Sequence, residues 1–289
     1  MIDAHAHLWL HQMGKLGDLP VYDIGGGRSM FGSEPVQMLP PYMTDGVNSA
    51  ERLLSNMDFA TVGGAVITQE YIDGNQDEYV KTIRAKYPDR FRVTCLYEEK
   101  GLPDTEGFDG IKLCGGRMKN KDLTAHADVF ALADEKGKFI AIDMANGDEQ
   151  VDSLKEMAQT YPNLRIAIGH FGLVGRPNWE EQIKLARLDN VFIESGGITW
   201  LFNSEFYPYP SAVDAIVRAK ELCGMKKLMW GSDYPRTMTA ITYRMSFDFL
   251  LKTHKLSDLD RQLFLNDNAK AFYRFDHLPV IQPIHYMAE

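Results

Sequence analysis

Ile2-Asp3-Ala4-His5-Ala6-His7-Leu8 opens the chain with a short run in which two histidines are separated by one residue. Side chains on a strand alternate faces with a period of two, so both imidazoles project to the same side. Seven more β-rich runs follow, at 63–68, 91–96, 110–114, 139–144, 165–171, 191–195 and 227–233. Segments with helical spacing lie between them, near 49–59, 77–87, 126–136, 148–160 and 211–222. In the fourth, Val151, Leu154, Met157 and Ala158 recur as one face of a helix packed on a sheet. Strands alternating with helices imply a parallel sheet. Eight such units in 289 residues favour closure into an α/β barrel, a (β/α)8 TIM barrel, over an open doubly wound sheet. No linker or composition shift marks a second domain, so residues 1–289 are read as one.

The connection from residue 9 to about residue 48 is too long for a plain loop. Gly25-Gly26-Gly27 and Pro40-Pro41 break it, and no strand-to-helix context makes the glycines a nucleotide motif. It follows the first strand and so belongs to the C-terminal face, where barrel enzymes keep their active sites. A cap over the pocket is the expectation.

Composition narrows the function. Apolar residues make up 45% of the chain and charged residues 25%, ordinary for a soluble protein with a large core. A net charge of −9 argues against a nucleic-acid partner, which needs a basic face. No apolar run reaches the roughly 20 residues of a membrane span, so no membrane association is expected. The N-terminal MIDAHAHLWL has neither a basic leader nor a long apolar stretch. Cys95, Cys114 and Cys223 form no CxxC pair and read as small hydrophobes in a reducing cytoplasm. Cys114 ends a strand, but nothing beside it suggests an activating base.

Polar residues recur at the ends of otherwise apolar strands. His170 ends the sixth in IAIGHFG, Asp233 the eighth in LMWGSDYPR, and Asp143 the fifth in FIAIDMA. Burying such groups without partners or a metal costs several kcal/mol each. Two imidazoles on one strand end can chelate a divalent ion such as Zn²⁺. Together the four positions predict a site at the C-terminal rim.

IDAHAHLW at the start, GIKL at Gly110–Leu113, IGHFG, GSDYP at Gly231–Pro235 and NDNAKAFYRF near the end resemble the amidohydrolase superfamily, in its amidohydrolase-related (amidohydrolase 2) branch of metal-dependent TIM-barrel hydrolases. The likeness spans almost the whole chain. It implies metal ligands at His5 and His7, a ligand and general base at Asp233, and a group that orients or polarises the substrate at His170. It also implies one divalent cation, Zn²⁺ by preference, although some lactonases of the branch work without a metal. Dimers are common in the branch, so a homodimer is an expectation of the resemblance.

The chain departs from that pattern on strand five, where metal-binding relatives place a histidine. Here stands Asp143, open to two roles: a further metal ligand, or an acceptor or substrate contact behind the ligands. Lys112 on strand four reads as a contact for a substrate carboxylate. Arg236, three past Asp233, and Arg176 and Arg117 after the sixth and fourth strands are further candidates for an anionic small-molecule substrate. Trp200, with Phe206, Tyr207 and Tyr209, can wall the pocket. Glu194 reads as a structural acceptor.

The leading functional expectation is hydrolysis of a small ester-like bond, most simply a lactone. Asp233 takes the proton from water, and His170, with Lys112, stabilises the oxyanion. A non-oxidative decarboxylase of the same branch is the alternative. A non-catalytic ligand-binding barrel is the alternative of another class.

Overall fold

The computed structural model describes residues 1–285 and 287. Every expected run carries a strand. β1 (Ile2–Ala6) is followed by β2 (Met13–Leu16), β3 (Leu19–Gly25), β4 (Arg28–Phe31) and β5 (Glu34–Gln37). Next come β6 (Gly64–Ile67), β7 (Phe91–Leu96), β8 (Gly110–Leu113) and β9 (Phe139–Ile142). β10 (Arg165–Ile168), β11 (Val191–Glu194) and β12 (Leu228–Met229) complete the set. Among the described residues, β1 and β6 to β12 form an eight-stranded sheet in sequence order. It closes where Ala4 N donates to Trp230 O at 2.8 Å, Asp233 N to His5 O at 2.9 Å and His7 N to Tyr234 O at 2.8 Å. This is the (β/α)8 barrel that the alternation predicts.

The strands are buried on both faces, which is why they read as nearly continuous apolar runs. Their outward residues, such as Ile67, Val93, Ile142 and Ile193, pack with Leu53, Val80, Leu154 and Ile216 of the surrounding helices. Burying each such side chain contributes about 1.5–3 kcal/mol. Helix Val151–Thr160 buries Leu154, Met157 and Ala158, the face its spacing predicts. Inside the barrel, Ile2, Val66, Phe139, Ala167 and Met229 cluster with Phe272 and Phe275 near the end of the chain. That apolar layer fills the lower lumen and leaves the C-terminal rim for polar chemistry.

Two features were not expected. Pairing runs Ile2↔Gly64 and Asp3↔Ala65, then jumps to Ala6↔Ile67, so β1 carries one extra residue. The bulge lets Asp3 accept from Ser232 and the Tyr243 hydroxyl while His5 and His7 face the lumen. The second is the excursion after β1, which is a four-stranded antiparallel meander, β2 to β5, rather than a plain loop. It leans on the connection after β6, with Lys15 N donating to Tyr71 O at 2.8 Å, and Val21, Met38 and Ile72 share a small apolar cluster. The meander thus flanks the pocket, reaching it through Ile72. Among the described residues no helix is long and apolar enough to cross a membrane.

Candidate active site

His5 and His7 are each 1% exposed, at the rim end of β1. Their Nε2 atoms stand 2.9 Å apart. Asp233, just past β12, brings Oδ1 to 3.0 Å from His7 Nε2 and 3.8 Å from His5 Nε2. Three potential ligand atoms from the two ends of the barrel sequence therefore converge on one point. Asp233 has φ 56° and His170 φ 54°, both in the left-handed region. Such a conformation costs a non-glycine residue on the order of 1–2 kcal/mol, and strain of this kind concentrates at functional sites.

The imidazole roles follow from their partners. His5 Nδ1 lies 2.6 Å from Glu194 Oε1 at the end of β11. An ionised carboxylate only accepts, so His5 carries its proton on Nδ1 and turns a lone pair toward His7. Burial, helped by the nearby charge of Arg236, holds His7 well below the usual histidine range, so it is neutral. Burial opposes ionisation of Asp233, but the His7 hydrogen bond and Arg236 outweigh it and keep the carboxylate charged. Trp200 Nε1 donates to its other oxygen, Oδ2, at 2.8 Å. Two imidazole nitrogens and a carboxylate oxygen meeting at one point form a donor set that suits a divalent cation such as Zn²⁺.

A second group lies beside the first. Asp143 Oδ1 is 2.6 Å from the buried Lys112 Nζ, an ion contact rather than a well-directed hydrogen bond, and Oδ2 is 3.5 Å from His170 Nε2. Although burial opposes charge on His170, Asp143 raises its pKa to about 10 and makes it an imidazolium at neutral pH. Its Nδ1 donates to Gly196 O at 2.9 Å. Asp143 can also be grouped with His5 and His170 as a donor set, but it stands apart from the set of His5, His7 and Asp233. Lys112 is occupied by Asp143 and does not line the cavity.

The cavity is about 380 Å³ and opens between these groups. Asp143, His170, Trp200, Asp233, Arg117 and Arg236 line it. Arg236 is held there: its Nη2 reaches both oxygens of Asp73 at 2.7 and 2.6 Å, and Nη1 lies 3.4 Å from Asp233 Oδ1. Arg117 Nε is 3.2 Å from Glu70 Oε1. Arg176 is exposed and is not among the residues that line the cavity. Phe206, Tyr207 and Tyr209 also lie off the wall. Tyr207 bonds Asp248, and Tyr209 packs on Phe249. Glu70 and Asp73, in the connection after β6, escaped the sequence reading. Their signal was the polar run Thr68-Gln69-Glu70 at the end of the second barrel strand.

A closed α/β barrel with paired imidazoles and an eighth-strand aspartate meeting at its C-terminal rim defines the class: a TIM barrel with a candidate metal centre. The amidohydrolase family pattern matches residues 2–275, and the chain belongs to that family.

Solved structures are similar across most of the chain. A probable 2-pyrone-4,6-dicarboxylic acid hydrolase from Acinetobacter baumannii, with citric acid bound, is 17% identical at a TM-score of 0.67, covering 94% of this chain and 98% of its own. An amidohydrolase from Burkholderia multivorans with bound zinc is 14% identical at a TM-score of 0.67, covering 96% and 99%. 5-Carboxyvanillate decarboxylase from Novosphingobium aromaticivorans, complexed with manganese, is 17% identical at 0.56, covering 78% and 80%. At these identities the likeness is one of fold. No curated protein matches the chain.

Proposed function

We propose that this protein is a metal-assisted hydrolase that opens a small cyclic ester, a lactonase. The observation that carries the reading is the meeting of His5 Nε2, His7 Nε2 and Asp233 Oδ1 just behind a cavity lined by Asp233 and the His170 imidazolium. His5, His7 and Asp233 would hold the ion, Zn²⁺ by donor type. When bound, a divalent ion would polarise a carbonyl oxygen and bring the pKa of a water down toward about 7.

The remaining chemistry belongs to side chains. Asp233 accepts the proton of the attacking water. Trp200 steadies its Oδ2 and Arg236 its Oδ1, so the accepting oxygen keeps its aim. His170 faces the charge that develops on the carbonyl oxygen. Both its nitrogens are engaged, so it contributes charge more than a free N–H. Asp143, itself paired with Lys112, holds that imidazolium in place from the cavity wall. Asp233 then returns the proton to the leaving alkoxide, which completes ring opening. Arg117 and Arg236 already face carboxylates of the protein, so a substrate carboxylate must compete with Glu70 and Asp73 for them.

The test is a panel of aldonolactones and muconolactones with the purified, zinc-loaded protein. Ring opening that is lost on chelation and restored by zinc supports the reading. Carbon dioxide release from hydroxybenzoates, with no lactone turnover, would replace it with the decarboxylase alternative.

A further inference from the structure

Each ligand histidine has a buried carboxylate behind it, and the two carboxylates come from different parts of the barrel. Behind His5 is Glu194, 3% exposed, with Oε1 2.6 Å from Nδ1 and Oε2 accepting from Gly196 N at 2.6 Å. Space for it is reserved: a Cβ on Gly231 would come within 2.7 Å of both Glu194 Oε2 and His5 Cβ. One on Gly196 would sit 2.8 Å from His5 Cγ and 2.9 Å from Glu194 Oε2. Neither strand end can carry a side chain without displacing this pair.

Behind His7 is Asp73, 2% exposed, with Oδ2 3.5 Å from His7 Nδ1. That nitrogen is buried and makes no hydrogen bond to the described residues. Asp73 is fixed from two sides, by Arg236 Nη2 and by Gln12 Nε2 at 3.1 Å. Gln12 in turn accepts from the Ser29 hydroxyl on β4. The meander is therefore joined to a candidate metal ligand through Ser29, Gln12 and Asp73.

We infer that Glu194 and Asp73 are a matched pair of positioning residues that hold both first-strand imidazoles with the proton on Nδ1 once an ion is bound, and that the meander serves the metal site by anchoring Asp73. Without the ion, His7 Nε2 faces Asp233 Oδ1 at 3.0 Å as its hydrogen-bond donor. With an acceptor behind each ring, that proton can pass to Nδ1 and leave both Nε2 lone pairs and the carboxylate oxygen to a cation. Outer partners of this kind set ring orientation, and their loss typically costs 10–100-fold in metal affinity. The inference rests on the metal site proposed above.

The experiment uses the full chain and Zn²⁺ in competition with a chromophoric chelator, for the wild type, Glu194→Gln and Asp73→Asn. An amide offers one acceptor oxygen where each carboxylate offers two, so the group facing the other oxygen loses its acceptor. Each variant is expected to bind one ion about 10–100-fold more weakly and to shift the visible spectrum of the Co²⁺-loaded protein. Ser29→Ala, away from both rings, is expected to weaken zinc in the same direction by a few fold. A merely structural role would lower the melting temperature of the metal-free variants and leave the zinc affinity of the folded protein unchanged. Affinities within threefold of wild type for both carboxylate variants overturn the inference.

If the variants do not fold, ¹⁵N spectra of the metal-free wild type decide it. His5 as the Nδ1–H tautomer supports the inference, and Nε2–H overturns it. Wild type that takes up no ion would instead remove the metal reading on which it rests.

Discussion

Replacing Asp143 by Asn should return His170 to an ordinary histidine. Burial alone would depress this imidazole, yet the charge of Asp143, 3.5 Å away, lifts its pKa from 6.5 to about 10. That rise corresponds to a preference for the protonated form on the order of 5 kcal/mol. The Asp143→Asn substitution removes the largest favourable contribution. Burial and the more distant Asp233 and Glu194 remain, and the pKa should fall to near or below 6.5.

The sign for stability follows from linkage. A histidine whose folded pKa is raised stabilises fully below its unfolded value, and that contribution fades as pH climbs from about 6.5 through about 10. The metal-free wild type should therefore lose several kcal/mol of this contribution across that window, and the variant should stay nearly flat. NMR titration of the His170 ring in both proteins, with denaturant melts at pH 7 and pH 9.5, measures both effects. An Asp143→Asn variant whose His170 remains protonated at pH 9 would refute the electrostatic account of the second cluster.

Other outcomes follow from the same geometry. Asp233→Asn should lower kcat for lactone opening by about 10²–10⁴-fold, the usual contribution of a positioned base. Trp200→Phe removes the bond to Asp233 Oδ2, a charge-assisted contact of about 1.5–3 kcal/mol, and should reduce kcat/KM about tenfold or more. Arg176→Ala should change neither kcat nor KM in the same assay, because that side chain is exposed and off the cavity wall. An effect above threefold would return Arg176 to the site.

The eight barrel strands were legible because a parallel strand, covered by helices outside and side chains inside, must be apolar on both faces. Polar residues at its rim end then stand out, which is how His5, His7, Asp143, His170 and Asp233 could be singled out. Strand ends read too long at 165–171, since Phe171 at φ 51° has already left the ladder. The meander was hidden because Gly and Pro interrupt its alternation and its outer side is exposed, leaving little period-two pattern. Its exposed Met13 and Tyr22, paired across β2 and β3, show how weakly burial governs that surface. Arg236 was visible as a cation beside Asp233, but its partner was not. Asp73 lies 163 positions away in the chain, and only barrel closure brings the second and eighth connections together. Likewise Glu194 read as an acceptor, while the donor it serves, His5, is set by how β1 and β11 sit across the lumen.

Everything proposed for catalysis depends on one cation binding between the first and last barrel strands. Anomalous diffraction at the zinc edge from crystals of the zinc-loaded protein tests this directly. The account predicts one strong peak about 2.0–2.2 Å from His5 Nε2, His7 Nε2 and an oxygen of Asp233. No peak there, or zinc held only by Asp143 and His170 with His5 Nε2 and His7 Nε2 still in contact, would contradict it.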